Sequence, residues 1–209
     1  MSDPLAACQL YLTIETHAGA IQQLAAALDA GRVSAVLVRA TDGGKIDGTV
    51  AKSLVELAQS RNVAALIEAD MQLASSLGAD GVHLTPGGDL AVLFEAARML
   101  LGAHGMIGVA PGASRHEAME LAELGADYIA FGAMPADAEF DRDALLHWWS
   151  EIFQVPCVAL DVVGADEAGV LAGIGVDFVA IALTGLVSPT DSAATVRAYA
   201  DAVLRPVTV

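Results

Sequence analysis

Leu77-Gly78-Ala79-Asp80-Gly81-Val82-His83-Leu84 decides the fold. A glycine that follows an apolar helical run suits the left-handed position just past a helix end, and the Val-His-Leu beyond it has the pattern of a short buried strand. The phrase returns as Leu124-Gly125-Ala126-Asp127-Tyr128-Ile129-Ala130-Phe131 and as Ile174-Gly175-Val176-Asp177-Phe178-Val179-Ala180-Ile181, with a weaker copy at Ala30-Gly31-Arg32-Val33-Ser34-Ala35-Val36-Leu37. The glycines recur roughly 50 residues apart, about the length of two strand–helix units, so four such spans fill the chain with eight units.

Working outward from the repeats, strands are expected at Cys8 to Ile14, Val33 to Arg39, Val63 to Glu68, Gly81 to Leu84, Met106 to Val109, Asp127 to Phe131, Val155 to Asp161 and Asp177 to Leu183. Helices are expected at about Ala18 to Ala30, Asp47 to Arg61, Met71 to Leu77, Asp89 to Leu101, Asp141 to Phe153, Asp166 to Gly173 and Asp191 to Leu204, with a fifth in chain order opening at Ser114. Asp70 is a helix-capping candidate, and Ser114 with Glu117 forms a capping-box pattern. Thr41-Asp42-Gly43-Gly44 reads as a turn, and Gly132 to Phe140 as a long loop. Short strands that are apolar on both parities, alternating strictly with helices, call for a parallel sheet covered on its outer face. The expected architecture is an α/β fold, a (β/α)8 TIM barrel in a single domain spanning residues 1–209. An open doubly wound sheet is the alternative, but no Gly-x-Gly-x-x-Gly follows the first strand.

The chain has 209 residues, 55% of them hydrophobic, and a formal net charge of −16. That field repels phosphate backbones and anionic lipid surfaces, so neither nucleic acid nor membrane is an expected partner. Lys45 and Lys52 are the only lysines. Cys8 and Cys157 sit in apolar strand patterns and are expected as buried free thiols. The amino terminus shows no signal-peptide pattern and no apolar run approaches membrane-spanning length, which together give a cytoplasmic expectation.

In a barrel of this kind the chemistry gathers at the carboxyl ends of the strands. Those ends offer Thr13 and Glu15, Arg39 and Thr41, Glu68 and Asp70, His83 and Thr85, Asp161, and Thr184 with Ser188 beyond; strands five and six end in residues without chemistry. Arg39 either anchors an anion through its paired N–H donors or is neutralised by Glu68 on the next strand. His83 is either an acid/base or a satisfied core histidine. Asp161, ending an apolar strand, is either a loop or cap acceptor, a general acid/base, or a metal ligand. Asp89 is most simply a helix cap. Glu68, Asp70, Asp89 and Asp161 could supply oxygens to Mg²⁺, but no spacing compels it. The Trp148-Trp149 pair suits helix packing, with one ring available to a homo-oligomer interface.

Leu10-Tyr11-Leu12, Gly78-Ala79-Asp80-Gly81-Val82-His83-Leu84, Ile107-Gly108-Val109 and Gly125-Ala126-Asp127-Tyr128-Ile129-x-Phe131-Gly132 resemble thiamine phosphate synthase and its TenI-type relatives over nearly the whole chain. The resemblance implies a (β/α)8 barrel that joins hydroxymethylpyrimidine diphosphate to a thiazole phosphate and releases pyrophosphate, with Mg²⁺ and basic side chains on the leaving group. It also implies departures. Of the family's Gln-Leu-Arg-Glu-Lys, only the arginine remains, within Leu37-Val38-Arg39-Ala40-Thr41. The family's Asn-Asp after strand three, with its aspartate on the metal, is Glu68-Ala69. The metal aspartate after strand four has Asp89 as its nearest counterpart, one residue displaced. The serine after Ile-Gly-Val is Ala110, and the Thr-x-Thr-Lys after strand six is missing from Ala133 to Phe140. The Gly-Gly-Ile whose backbone holds the thiazole phosphate is Asp161-Val162-Val163. The Ile-Ser of strand eight is Ala182-Leu183, and the histidine of the TenI-type tautomerase is missing near Gly112.

Cations, metal ligands and phosphate-binding backbone thus give way to apolar or acidic residues. The expected roles are Arg39, His83 and Asp161 in catalysis, Arg39, Glu68, Thr85 and Thr184 in binding a small-molecule ligand, and Asp89 at any metal. The family reaction is expected to be weak or lost. The alternatives are a non-catalytic binding or regulatory barrel and an enzyme retooled for a less phosphorylated small molecule.

Overall fold

The computed structural model describes residues 8–41, 44–134, 141–186 and 188–205. Eight parallel strands close into a barrel in chain order: β1 (Gln9–Glu15), β2 (Val33–Arg39), β3 (Ala64–Glu68), β4 (Gly81–Leu84), β5 (Met106–Val109), β6 (Tyr128–Phe131), β7 (Cys157–Ala159) and β8 (Phe178–Ala182). Closure is made by β1 against β8, with Leu10 opposite Val179. The helices are α1 (Ala20–Ala30), α2 (Gly48–Ser60), α3 (Met71–Leu77), α4 (Leu90–Leu101), α5 (Arg115–Glu123), α6 (Arg142–Ile152), α7 (Ala165–Gly173) and α8 (Pro189–Val203). The expected boundaries hold to within a few residues; the largest difference is β7, shorter at both ends than Val155 to Asp161, and the left-handed backbone of Asp161 (φ 56°) turns the chain out of the strand at its carboxyl end. The second half of the loop after β6 and the centre of the turn after β2 lie outside the described residues.

The repeated phrase has a physical reason. Asp80, Asp127 and Asp177 each turn a carboxylate back onto the strand before. Each accepts a backbone N–H there: Ala65 at 2.8 Å, Ile107 at 2.7 Å and Cys157 at 2.8 Å. The carboxylate satisfies an N–H at the amino-terminal edge of β3, β5 and β7, where the ladder begins. Gly78, Gly125 and Gly175 hold φ of 65°, 97° and 91°, the left-handed bend that brings the aspartate round. The weaker copy differs: Gly31 is extended, and a Cβ there would meet Val196 at 3.1 Å, so this glycine serves the close approach of α1 and α8.

Strand alternation sorts the apolar residues into two layers. Leu10, Leu12, Ile14, Val36, Val38, Ile67, Val82, Ile107, Ile129 and Val179 face outward and pack under the helices. Inside the barrel lie Tyr11, Ala35, Leu37, Leu66, Ala110, Tyr128, Ala130, Val158 and Ala180. This inner layer is mostly small, and its two tyrosines fill the space the alanines leave. Gly108 sits opposite Tyr128 in the β5–β6 register, and a Cβ on it would come within 1.9 Å of the tyrosine ring. Trp149 is fully buried beneath α6, edge-on to Phe131, and donates its indole N–H to the Val155 carbonyl at 2.7 Å. Trp148 is half-buried against Phe153, under the Arg115 guanidinium. Both cysteines are buried free thiols, and burial pushes each up to about 12. Among the described residues no helix is long and apolar enough to cross a membrane.

Candidate active site

The inward parity that carries the small residues ends, at the carboxyl rim, in polar ones. Thr13, Arg39, Glu68, His83, Thr85 and Asp161 surround a cavity of about 210 Å³, whose apolar wall includes Leu37, Ala110, Ala130, Leu160 and Ala180. Of the residues expected from sequence, Arg39, Glu68, His83, Thr85 and Asp161 therefore converge. Thr184 does not line this cavity: β8 ends at Ala182, Leu183 turns into the outer core, and Thr184 is exposed. Asp89 stands apart as the cap of α4, its carboxylate accepting the Val92 N–H at 3.1 Å. Asp70 and Ser188 cap α3 and α8.

Arg39 and Glu68 lie side by side on neighbouring strands, with Arg39 Nε 2.8 Å from a Glu68 oxygen. Asp161 adopts a left-handed backbone, φ 56°, and its carboxylate folds over Gly132 to accept the Ala133 N–H at 2.8 Å. Any side chain at position 132 would collide with that carboxylate, which a Cβ would approach to 2.7 Å. The described lining thus holds one cation against two carboxylates.

His83 forms the deep wall. Its Nδ1 lies 2.9 Å from the Tyr128 hydroxyl, which lies 2.8 Å from the Tyr11 hydroxyl, and its ring stacks on that of Tyr128. Burial, reinforced by the Arg39 charge, lowers His83 to about 4, so its imidazole is neutral near pH 7. Burial raises both tyrosines, which remain protonated. Sequence reasoning did not assign Tyr11 and Tyr128 to the site. The signal was present in their shared inward parity and in the glycine facing Tyr128.

The loop after β7 is closed on itself. The Val163 N–H is bound by the Glu167 carboxylate, and the Gly164 N–H donates to the Tyr199 hydroxyl at 2.7 Å. Tyr199 in turn donates to the Val162 carbonyl at 3.1 Å. Arg142, at the start of α6, locks the arrangement. It is ion-paired with Glu167 and donates to the Leu160 and Asp161 carbonyls at 2.9 and 3.1 Å. Loops after strands seven and eight are frequent phosphate sites in barrels; here two of the backbone donors available for that task are taken by the chain's own side chains.

The sequence matches the family described as thiamine monophosphate synthase over residues 10–184. The chain belongs to that family. A thiamine-phosphate synthase of Erythrobacter litoralis is 39% identical over 205 residues, covering 92% of this chain and 94% of the relative. One from Rhodospirillum centenum is 38% identical over 186 residues, covering 83% and 87%. Among solved structures, a thiamine phosphate pyrophosphorylase from Pyrococcus furiosus superposes with a TM-score of 0.78 at 22% identity, covering 95% of this chain and 96% of that one. A 3-hexulose-6-phosphate synthase from Salmonella typhimurium gives 0.74 at 18%, covering 94% and 99%. At those identities the structural likeness bears on the barrel alone.

Family membership brings Mg²⁺ into question, and the residues present do not fit it. Glu68 is committed to Arg39, Asp89 caps a helix away from the cavity, and position 69 is alanine. Among the described residues no group of three or more His, Cys, Asp or Glu is placed to hold a metal ion.

Proposed function

We propose that this barrel binds a small organic molecule in the cavity at its carboxyl rim, and that coupling of hydroxymethylpyrimidine diphosphate to thiazole phosphate is weak or lost. The observation that carries this reading is the Arg39–Glu68 pair. Arg39 is the one cationic side chain in the described lining, and it is already neutralised at 2.8 Å, with Asp161 adding a second carboxylate. Expelling pyrophosphate requires positive charge aimed at the departing oxygens. A cavity whose carboxylates outnumber its cations opposes that step, and the self-closed loop after β7 supports the same reading at the other phosphate. Arg39, His83 and Asp161 are the groups through which a retooled reaction would act, with Glu68 and Thr85 on the ligand.

The competing reading is an ordinary synthase, favoured by identities of 38–39% to proteins of that name. One assay separates the two. Purified protein is supplied with both phosphorylated substrates and Mg²⁺, and thiamine phosphate is quantified. The expected yield is little above a protein-free control. Robust turnover that Arg39→Ala abolishes would overturn the proposal.

A further inference from the structure

We propose that Tyr11 and Tyr128 are positioning residues that fix His83 as a hydrogen-bond donor to the cavity, so that the ligand presents a neutral acceptor to it, a carbonyl oxygen or a pyridine-type ring nitrogen. The ligand half of this inference rests on the small-molecule reading above; the proton arrangement does not.

Three groups stand in a row: Tyr11 hydroxyl, Tyr128 hydroxyl and His83 Nδ1, at 2.8 and 2.9 Å. The row ends at Tyr11, which is 2% exposed, does not line the cavity, and has no other hydrogen-bond partner among the described residues. Each tyrosine carries one hydroxyl hydrogen, and the neutral imidazole carries one N–H. If the imidazole hydrogen sits on Nδ1, it donates to the Tyr128 oxygen. Tyr128 and Tyr11 then have two hydroxyl hydrogens but only one acceptor left between them, and one is stranded in the barrel interior. If the hydrogen sits on Nε2, Tyr11 donates to Tyr128, Tyr128 donates to Nδ1, and no hydroxyl hydrogen is stranded. A buried donor without an acceptor is costly enough to bias the two forms by on the order of tenfold or more. The Nε2–H tautomer is selected, and Nε2 is the ring nitrogen left for the cavity that His83 lines.

The charged neighbours do not reverse this. Arg39, the nearest cation, disfavours a second proton on the ring, and Glu68 and Asp161 are engaged by Arg39 and the Ala133 N–H. The cavity therefore offers one fixed N–H from β4, polar hydroxyls from Thr13 and Thr85, and an apolar wall. An ammonium group facing Nε2–H would meet a donor with a donor.

Nitrogen-15 NMR of the histidine side chains tests the proposal without turnover, so its failure is distinct from a failure of the proposed function. In the full-length protein at neutral pH, His83 is expected to show an unprotonated Nδ1 and a protonated Nε2, with the signals assigned by their loss in His83→Gln. Tyr128→Phe, which removes the hydroxyl that donates to Nδ1, is expected to shift the Nδ1 resonance and release the lock. Pyridine, a neutral acceptor at this pH, is expected to shift the His83 Nε2–H signal in the wild type at millimolar concentration, and methylammonium is not. A wild-type His83 protonated on Nδ1, or divided evenly between tautomers, overturns the positioning role. A methylammonium response without a pyridine response, or none to pyridine, overturns the ligand assignment. The wild-type spectrum decides the first point even if a variant fails to fold.

Discussion

Replacing Gly108 with alanine places one methyl group against the most constrained ring in the barrel. The added carbon would stand 1.9 Å from Cζ of Tyr128 and 2.3 and 2.4 Å from its two Cε atoms. These are ring atoms, and the ring is anchored at its far end by bonds to Tyr11 and His83 at 2.8 and 2.9 Å. Retreat breaks those bonds; staying forces the strands apart. Overpacking of a close-packed interior costs about 1–3 kcal/mol. Loss of two buried hydrogen bonds adds roughly 1 kcal/mol each. The expected destabilisation is thus about 3–5 kcal/mol, or a fall in melting temperature of roughly 6–20 °C for a chain of this size. Urea unfolding followed by circular dichroism measures the first quantity and calorimetry the second. The same substitution in a Tyr128→Leu background should cost at least ~2 kcal/mol less, because the two sites are coupled through contact. A Gly108→Ala protein within about 0.5 kcal/mol of the parent, outside the range such a clash allows, would refute the reasoning. So would an equal loss in both backgrounds.

His83 sets an acid limit. Its folded-state pKa of about 4 lies below the ordinary 6.5, so the unfolded chain takes up the proton first; the contribution is full above 6.5 and is lost as pH falls towards 4. Its size is roughly 3 kcal/mol, and the difference in urea midpoint between neutral and acid pH should shrink in His83→Gln. Glu68→Gln frees Arg39 and should tighten binding of inorganic phosphate, read by calorimetric titration, by about two- to fivefold given the solvent exposure of the pair. Trp149→Ala should cost about 3–5 kcal/mol by urea unfolding, since a fully enclosed indole leaves a cavity; Trp148→Ala, half-buried, should cost about 1.

The barrel was legible because its signals are local and repeated. The Gly-x-Asp phrase counts strands, and Asp80, Asp127 and Asp177 prove to do one job at each recurrence. Strand ends gave the rim residues for the same reason: parity carries Arg39, Glu68, His83 and Thr85 inward together. Three things stayed hidden. Thr184 follows the inward parity on paper, but the chain leaves β8 before reaching it. Tyr11 and Tyr128 are 117 positions apart, and no periodicity announces a hydroxyl contact across a barrel. Glu167 reads as one more acid in the first turn of a helix, and its partner Arg142 is known only once α6 and α7 are side by side.

Ala69, the residue just past β3, holds a left-handed backbone with φ 56°, and its N–H donates to the His83 carbonyl at 2.8 Å. Alanine enters that conformation at a cost of about 1–2 kcal/mol, whereas aspartate and asparagine accept it more readily. The family resemblance places an aspartate there. The backbone at this position thus has a shape that the aspartate of the family pattern would adopt more easily than alanine does. The two loops differ in how much stands in the way. At position 69 one substitution would place a carboxylate on a main chain already bent for it. After β7, Glu167 and Tyr199 would both have to yield before the Val163 and Gly164 N–H groups came free. A carboxylate is thus far easier to introduce after β3 than free backbone donors are after β7.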